Sequence, residues 1–312
     1  MKFLIIDRMH ESIGPLLEAA GFDYDYCPKI TRAELIASIG PYQGLLVRSK
    51  TTIDEEVIAA AKSLRIIGRA GAGLDQLDIE AIKSRGIMIV NAPEGNRDAL
   101  GEHAIGMLLA LFNRLVIADR QVRNGIWDRE GNRGYELMGK TVGIIGFGYM
   151  GQAFAERLRG FGVNVMAYDK YAPKTDHPFV KAVSLEELQR ETDILSLHVP
   201  LTEETAGCYN DAFLDGFAKN IWVLNTARGG VLDLAALLKA LERGKVIGAA
   251  LDVIENEKLA TLSPMQKERF DRLCSLQNVV LSPHVGGWTF ESYRKINEVL
   301  VEKISAWHKD QS

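Results

Sequence analysis

Three glycines, Gly146, Gly148 and Gly151, follow the apolar run Thr141-Val142-Gly143-Ile144-Ile145, and Asp169 closes the next apolar run, Val163-Asn164-Val165-Met166-Ala167-Tyr168. A strand pattern, a glycine turn, a helix pattern from Tyr149 to Arg159 and a second strand ending in an acid about 20 residues on leave few folds open: this is a βαβ unit. Gly146 permits the tight turn out of the strand, Gly148 lets the backbone approach a ligand, and Gly151 lets the helix pack close to the strand. The helix points its first amides at the turn, which suits a pyrophosphate. Asp169 is placed to accept hydrogen bonds from ribose hydroxyls and to repel a 2′-phosphate, so the pattern predicts NAD rather than NADP as cofactor. The plain alternative is a glycine-rich strand–helix turn with no ligand.

Short apolar runs alternate with helical patterns along the whole chain, which implies parallel sheets covered by helices. Strands are expected at Lys2–Asp7, Gly44–Arg48, Arg65–Arg69 and Ile87–Asn91, separated by helices at Ile13–Ala20, Arg32–Ile39, Glu55–Ala61 and Ile79–Ser84. A second series begins at Thr141 and continues with strands at Ile194–His198, Trp222–Asn225, Val246–Asp252 and Val279–Ser282. The fold class is therefore α/β, with two doubly wound parallel-sheet domains and a cleft between them. Between the series a helical pattern runs from Ala99 to about Asn124. Its stretch Ile105–Phe112 is apolar nearly all round, so it is expected to be buried between domains or against a second subunit. A last helix, from about Phe290 to Trp307, is expected to cross back onto the first domain and make it discontinuous; a simple cap on the second domain is the alternative.

The 312 residues suffice for two domains, with 47% hydrophobic and 25% charged residues. A formal net charge of -4 argues against a nucleic-acid surface. Cys27, Cys208 and Cys274 are widely spaced and are read as free thiols in a reducing compartment. The apolar N-terminus meets Asp7-Arg8 too early for a signal peptide, and no apolar run approaches membrane-spanning length, so the expected location is the cytoplasm. No metal is expected, because no His or Cys pair has ligand spacing and the carboxylates do not cluster.

Three ionisable residues lie at or just beyond the ends of expected strands, where open α/β sheets bind ligands. Arg228 follows Trp222–Ala227, Glu257 lies in the loop after Ala249–Val253, and His284 follows Val279–Pro283. Hydride transfer from a hydroxy acid to a nicotinamide requires a base for the hydroxyl proton, and histidine titrates near working pH. A carboxylate beside it fixes the tautomer, and an arginine offers a planar fork to the substrate carboxylate. Blander alternatives stand beside these: His284 as a core histidine, Glu257 as a solvated loop charge, and Arg228 as a partner of Asp252.

With these residues in order, the chain resembles the D-isomer-specific 2-hydroxyacid dehydrogenases over essentially its whole length. The stretches that carry the resemblance are Gly-Arg-Ala-Gly-Ala-Gly-Leu-Asp at 68–75, Asn91-Ala92-Pro93, the glycine motif, Asn225-Thr226-Ala227-Arg228-Gly229-Gly230, Ala249-Ala250-Leu251-Asp252-Val253 and Ser282-Pro283-His284-Val285-Gly286-Gly287. The resemblance implies a flavodoxin-like substrate domain over residues 1–98 plus 286–312 and a Rossmann NAD-binding domain over residues 99–285. It implies Arg228 as substrate anchor, His284 as acid/base and Glu257 as its partner. Besides the glycines, the implied nucleotide contacts fall on Tyr149, Met150, Asp169, Pro200, Thr205, Thr226, Ala227, Arg228, Asp252, His284 and Gly287. It also implies a homodimer through the NAD-binding domain. The loop around Glu257 departs from the family's proline-containing pattern, with Asn256 and Lys258 in its place, which makes it less stiff.

Within the family the chain most resembles the members that oxidise 3-phosphoglycerate to 3-phosphohydroxypyruvate at the entry to serine synthesis. Arg48 and Arg69 end two first-domain strands, and arginines bind a terminal phosphate bidentately; pairing with Asp54 or Asp75 is the alternative. The Gly71-Ala72-Gly73 peptide offers amides to the substrate carboxylate, as the resemblance also implies, and Asn96 and Arg97 lie at the expected hinge. The chain ends at Ser312, so no serine feedback through an internal regulatory domain is expected. Rival expectations are a glyoxylate or hydroxypyruvate reductase of the same family, which would not need both arginines, and an NAD(H)-sensing binding protein.

Overall fold

The computed structural model describes residues 1–172 and 174–311. The chain divides into two compact units, Met1–Arg97 with Trp288–Ser312, and Asp98–Gly287.

In the first unit, strands and helices alternate as β1 (Lys2–Ile5), α1 (Ile13–Ala19), β2 (Asp23–Tyr26), α2 (Arg32–Ser38), β3 (Gly44–Val47), α3 (Glu55–Ala60), β4 (Ile66–Arg69), α4 (Ile79–Ser84) and β5 (Met88–Asn91). The five strands are parallel in the order β2-β1-β3-β4-β5, the flavodoxin-like winding. All four residues of β3 are buried, as a strand covered by helices on both faces requires. Thr31, Asp54 and Asp78 cap α2, α3 and α4 by accepting the amide three residues on, which fixes where each helix starts.

The second unit carries α5 (Pro93–Phe112), which begins in the first unit, then α6 (Leu115–Arg123), β6 (Thr141–Ile145), α7 (Tyr149–Arg157), β7 (Asn164–Tyr168), β8 (Val180–Ala182), α8 (Leu185–Glu191), β9 (Ile194–Leu197), α9 (Asp211–Asp215), β10 (Ile221–Asn225), α10 (Leu234–Glu242), β11 (Val246–Leu251), α11 (Pro264–Ser275) and β12 (Val279–Leu281). Its seven parallel strands run β12-β11-β10-β9-β6-β7-β8, so the winding reverses between β6 and β9. The C-terminal ends of strands flanking such a reversal form the crevice where doubly wound sheets bind ligands.

The last helix, α12 (Phe290–Asp310), belongs to the first unit's core. Its Ile296, Leu300, Val301 and Ile304 pack with Phe3, Ile5, Leu46 and Ile66. Gly68 on β4 permits this approach, because a Cβ there would lie 3.2 Å from Ile304 Cδ1.

Several expectations are corrected. The helix expected from Ala99 to Asn124 begins at Pro93 and breaks at Arg114, which adopts φ 52° before α6 starts. Asn96 and Arg97 stand in the opening turns of α5, where the chain passes from the first unit to the second. The apolar stretch of α5 is covered within its own unit, where Ile105, Met107, Leu108 and Phe112 pack with Val142, Ile144 and Trp222. Two strands went unforeseen. Asp23-Tyr24-Asp25-Tyr26 (β2) buries no residue fully, so it carries no apolar run, and β8 has only three residues. Among the described residues no single helix is long and apolar enough to cross a membrane.

Leu300 is fully buried on α12. Leu300→Ala should lower unfolding free energy by about 2–5 kcal/mol in urea denaturation; a loss below about 1 kcal/mol would mean that α12 caps the unit without completing its core.

Candidate functional site

The glycine turn has the geometry that its spacing foretells. Gly146 adopts φ 87°, and a Cβ there would lie 2.7 Å from the His198 carbonyl oxygen. A Cβ on Gly151 would run into the Gly146 carbonyl. At Gly148 the direction of a Cβ is open, with nothing within 4 Å, and this residue is the N-cap of α7 without a side-chain cap. The first amides of a helix have no intrahelical acceptor, so this open cradle of backbone donors fits a pyrophosphate. Asp169 follows β7, and its Oδ2 accepts the Phe147 amide at 2.8 Å while Oδ1 accepts those of Tyr171 and Ala172 at 2.9 and 3.0 Å. It thus ties the second strand end to the glycine turn. Beyond β9, Thr205 Oγ1 donates to the Pro200 carbonyl at 2.6 Å, closing a tight loop. Thr226, after β10, has a buried Oγ1 with no hydrogen-bond partner, a polar atom left for a bound group to satisfy. Ala227 beside it is buried, and Tyr149 and Met150 open α7.

His284 and Glu257 meet. His284 Nδ1 lies 2.9 Å from Glu257 Oε2, and the His284 side chain is 42% exposed, which removes the core-histidine alternative. An ionised carboxylate can only accept, so Nδ1 carries the hydrogen, and in the neutral imidazole Nε2 is then the nitrogen with the lone pair. Nε2 has no partner among the described residues. The backbone of His284 is left-handed, φ 54°, at a cost of about 1–3 kcal/mol for a side chain of this kind.

What holds that conformation is Asp252, a residue read from sequence as a nucleotide contact or, alternatively, a partner of Arg228. Its side chain is 1% exposed. It accepts the Val285 amide at 3.0 Å, the Gly286 amide at 2.8 Å and the Ser282 hydroxyl at 2.6 Å. Its own carbonyl accepts the His284 amide at 2.8 Å. His103 on α5 brings Nε2 to 3.3 Å from Asp252 Oδ1 and 2.9 Å from Ser282 Oγ. Burial alone would raise the Asp252 pKa, but these donors outweigh it and hold the carboxyl below its ordinary value. Arg228 is not among the partners of Asp252, so that alternative falls; its Nη1 donates to the Ala227 carbonyl at 2.7 Å. Sequence reasoning missed His103 and Ser282. The available signal was a histidine in an otherwise apolar helical run.

Asn256 Oδ1 accepts the Lys258 amide at 3.0 Å, and the Lys258 carbonyl accepts the Thr261 hydroxyl at 2.9 Å. The Glu257 loop is thereby braced by an Asx turn.

Three substrate-binding candidates lie in the first unit's strand-end loops. The Gly71 and Ala72 carbonyls accept from the Ala92 amide at 2.9 Å and the Asn91 side chain at 2.6 Å. The Ala72 and Gly73 amides have no acceptor among the described residues. Arg48 follows β3; its amide donates to buried Asp7 at 2.6 Å and its Nη1 to the Arg8 carbonyl at 3.3 Å. Its guanidinium lies 4.2 Å from the Trp288 ring centroid and 5.1 Å from that of Tyr293. No ion pair of Arg48 occurs among the described residues, while Asp54, its suggested partner, pairs with Arg32. Burial lowers the Arg48 pKa from its ordinary value, the opposing attraction of Tyr293 and Asp7 being smaller. Arg69 donates to the Ala70 carbonyl at 3.4 Å. Asn96 has a buried Oδ1 without a partner.

The family model for the NAD-binding domain of D-isomer specific 2-hydroxyacid dehydrogenases matches residues 105–286. The chain is 39% identical over 306 residues to a D-3-phosphoglycerate dehydrogenase of Archaeoglobus fulgidus, covering 97% of this chain and 56% of that one. It thus spans little more than half the length of that relative. A hydroxypyruvate reductase of Thermotoga maritima is 40% identical over 275 residues, 88% of each chain. The solved D-lactate dehydrogenase of Aquifex aeolicus, complexed with NAD and lactic acid, has a TM-score of 0.83 at 26% identity, covering 99% of this chain and 96% of that one.

Asp252→Asn should cost about 1–3 kcal/mol in urea unfolding at neutral pH, since an amide cannot serve all these donors. A carboxyl whose folded pKa is lowered stabilises above its ordinary value, and that contribution is lost as pH falls through the folded value. The gap between wild type and Asp252→Asn should therefore shrink on acidification; a gap independent of pH would refute the ionised carboxylate as the stabilising species.

Proposed function

The chain belongs to the D-isomer specific 2-hydroxyacid dehydrogenase family and uses NAD, and we propose that its substrate is 3-phosphoglycerate, oxidised to 3-phosphohydroxypyruvate in the cytoplasm at the entry to serine synthesis. The observation that carries this reading is Arg48, a half-buried guanidinium at a strand end that no carboxylate neutralises among the described residues. Burying a cation has a cost that a bound anion offsets. A phosphate at the far end of the substrate gives Arg48 that anion, and Arg69 is a second donor at the next strand end.

When bound, NAD supplies the nicotinamide that accepts the hydride. The residues of the chain do the rest. His284 takes the hydroxyl proton at Nε2 as the C–H bond gives up its hydride and the C–O bond becomes a carbonyl. Glu257 holds the Nδ1 hydrogen, keeps the lone pair on Nε2 and favours the imidazolium that forms. Arg228 anchors the substrate carboxylate with its planar fork, and the Ala72 and Gly73 amides donate to the same group. Asn96 offers its unsatisfied Oδ1 to a substrate hydroxyl. Gly146, Gly148 and Gly151, with Tyr149 and Met150, would hold the NAD pyrophosphate; Asp169 would take the ribose, and Pro200, Thr205, Thr226, Ala227, Asp252 and Gly287 would complete the nucleotide contacts.

The assembly belonging to this reading is a homodimer through the NAD-binding unit. Exposed Leu115, Val116, Val122, Ile126 and Trp127, all on or just after α6, support it, since large apolar groups gathered in one segment are costly to leave in water. A second reading, hydroxypyruvate reduction, is favoured by the Thermotoga maritima relative, which matches over most of its own length.

The test compares initial rates with NAD and 3-phosphoglycerate against NADH with glyoxylate and hydroxypyruvate, in wild type and in Arg48→Ala, Arg69→Ala. Activity on the phosphorylated acid should fall at least about a hundredfold in kcat/KM in the double variant. Equal or better rates on the small acids, indifferent to both arginines, would give the chain to the reductase reading. His284→Ala should reduce turnover by about two to four orders of magnitude with NADH binding retained; near-normal turnover would remove His284 from the mechanism.

A further inference from the structure

The guanidinium of Arg48 rests against a corner made of two rings. The Trp288 and Tyr293 centroids are 4.8 Å apart with the ring planes tilted by 51°. That corner is built by the start of α12 rather than by the arginine. Thr289 is the N-cap; its Oγ1 accepts the Ser292 amide at 3.0 Å, and Ser292 Oγ accepts the Thr289 amide at 2.9 Å. Trp288 therefore precedes the cap and Tyr293 is the fourth helical residue, the two positions that meet as a hydrophobic staple. His10 packs edge-on against Tyr293 at 5.6 Å.

A guanidinium held against ring faces keeps the donors along its edge, whereas a carboxylate partner would consume them. Among the described residues the Arg48 edge donates to one backbone carbonyl, from Nη1 to Arg8, and the Tyr293 hydroxyl is its other polar neighbour. The rings also remove rotamers that a long side chain would otherwise explore, so less entropy is lost when an anion binds. Trp288 remains 46% exposed, an unusual exposure for so large a ring, and Arg48 is what it meets.

We propose that Trp288 and Tyr293 are positioning residues that hold Arg48 as a preorganised anion fork, and that this ring corner sets the preference for a phosphorylated over an unphosphorylated 2-hydroxy acid. The inference rests on the phosphoglycerate reading above. The corner acts through Arg48 alone, so its removal changes the affinity for the phosphate end and leaves the hydride step untouched.

The experiment measures KM and kcat for 3-phosphoglycerate and for D-glycerate, its unphosphorylated counterpart, in wild type, Trp288→Leu, Tyr293→Leu, Trp288→Phe, Arg48→Ala and the Trp288→Leu, Arg48→Ala double variant. Leucine keeps the apolar staple and so the helix start, but has no ring face. Each leucine variant should raise KM for 3-phosphoglycerate roughly three- to tenfold with kcat little changed and the D-glycerate constants unmoved. Trp288→Phe should stay near wild type, and the double variant should be no worse than Arg48→Ala alone. An additive double variant, or an equal rise in KM on both acids, overturns the proposal, because either means that the rings act on general packing. Failure of the underlying reading shows separately, as equal kcat/KM of the wild type on the two acids. The same cycle on whichever acid the wild type turns over best then decides: non-additivity sustains the positioning role, and additivity or an inert Arg48→Ala overturns it.

Discussion

A single buried carboxylate organises the strand ends that carry His284. Asp252 leaves β11 with almost no exposure and collects donors from Ser282, Val285 and Gly286 on the segment that follows β12. Two neighbouring parallel strands are thereby tied at the same end, and the backbone between them is bent so that His284 takes a left-handed conformation. Each charge-assisted bond to a carboxylate contributes about 1.5–3 kcal/mol, so the set outweighs the strain of about 1–3 kcal/mol that a non-glycine residue stores there. Glu257 then fixes the imidazole by one further bond at 2.9 Å. Remove Asp252 and the imidazole is still present but no longer aimed.

The parts of this arrangement that sequence reveals are those governed by local rules. The glycine spacing could be read because each glycine answers a backbone demand within a few residues: a positive φ at Gly146, open space at Gly148, a close carbonyl at Gly151. Arg228, Glu257 and His284 could be read because apolar runs mark strand ends, and strand ends mark ligands. The network around Asp252 could not, because its donors come from residues 30 to 34 positions away and from His103 on a helix 149 positions earlier, 252 minus 103. No period in the sequence encodes such contacts.

The same limit explains the misread helix. The apolar period continues across residues 99–124, so pattern alone joins α5 to α6, whereas Arg114 in the left-handed region ends one helix and starts the other. Its apolar stretch is spent on the core of its own unit, and α6 has no buried residue. Likewise β2, with alternating Asp and Tyr, owes its place to pairing with β1 at the sheet edge and not to burial.

Rigidity is distributed unevenly over the residues that handle the substrate. The proton-transfer pair is held by a dense set of short hydrogen bonds to a buried charge, and no member can be changed without moving the others. Arg48, the proposed anion binder, is held by ring faces, one backbone carbonyl and the Tyr293 hydroxyl. Chemistry common to a whole family needs the first kind of support, because hydride and proton transfer tolerate little misplacement. Choice among acids needs only the second, since exchanging one ring alters a binding term worth about a factor of ten or less and leaves the strand ends in place. Under the proposed roles, substrate range drifts at residues such as Trp288 while the network of Asp252 and His284 stays fixed.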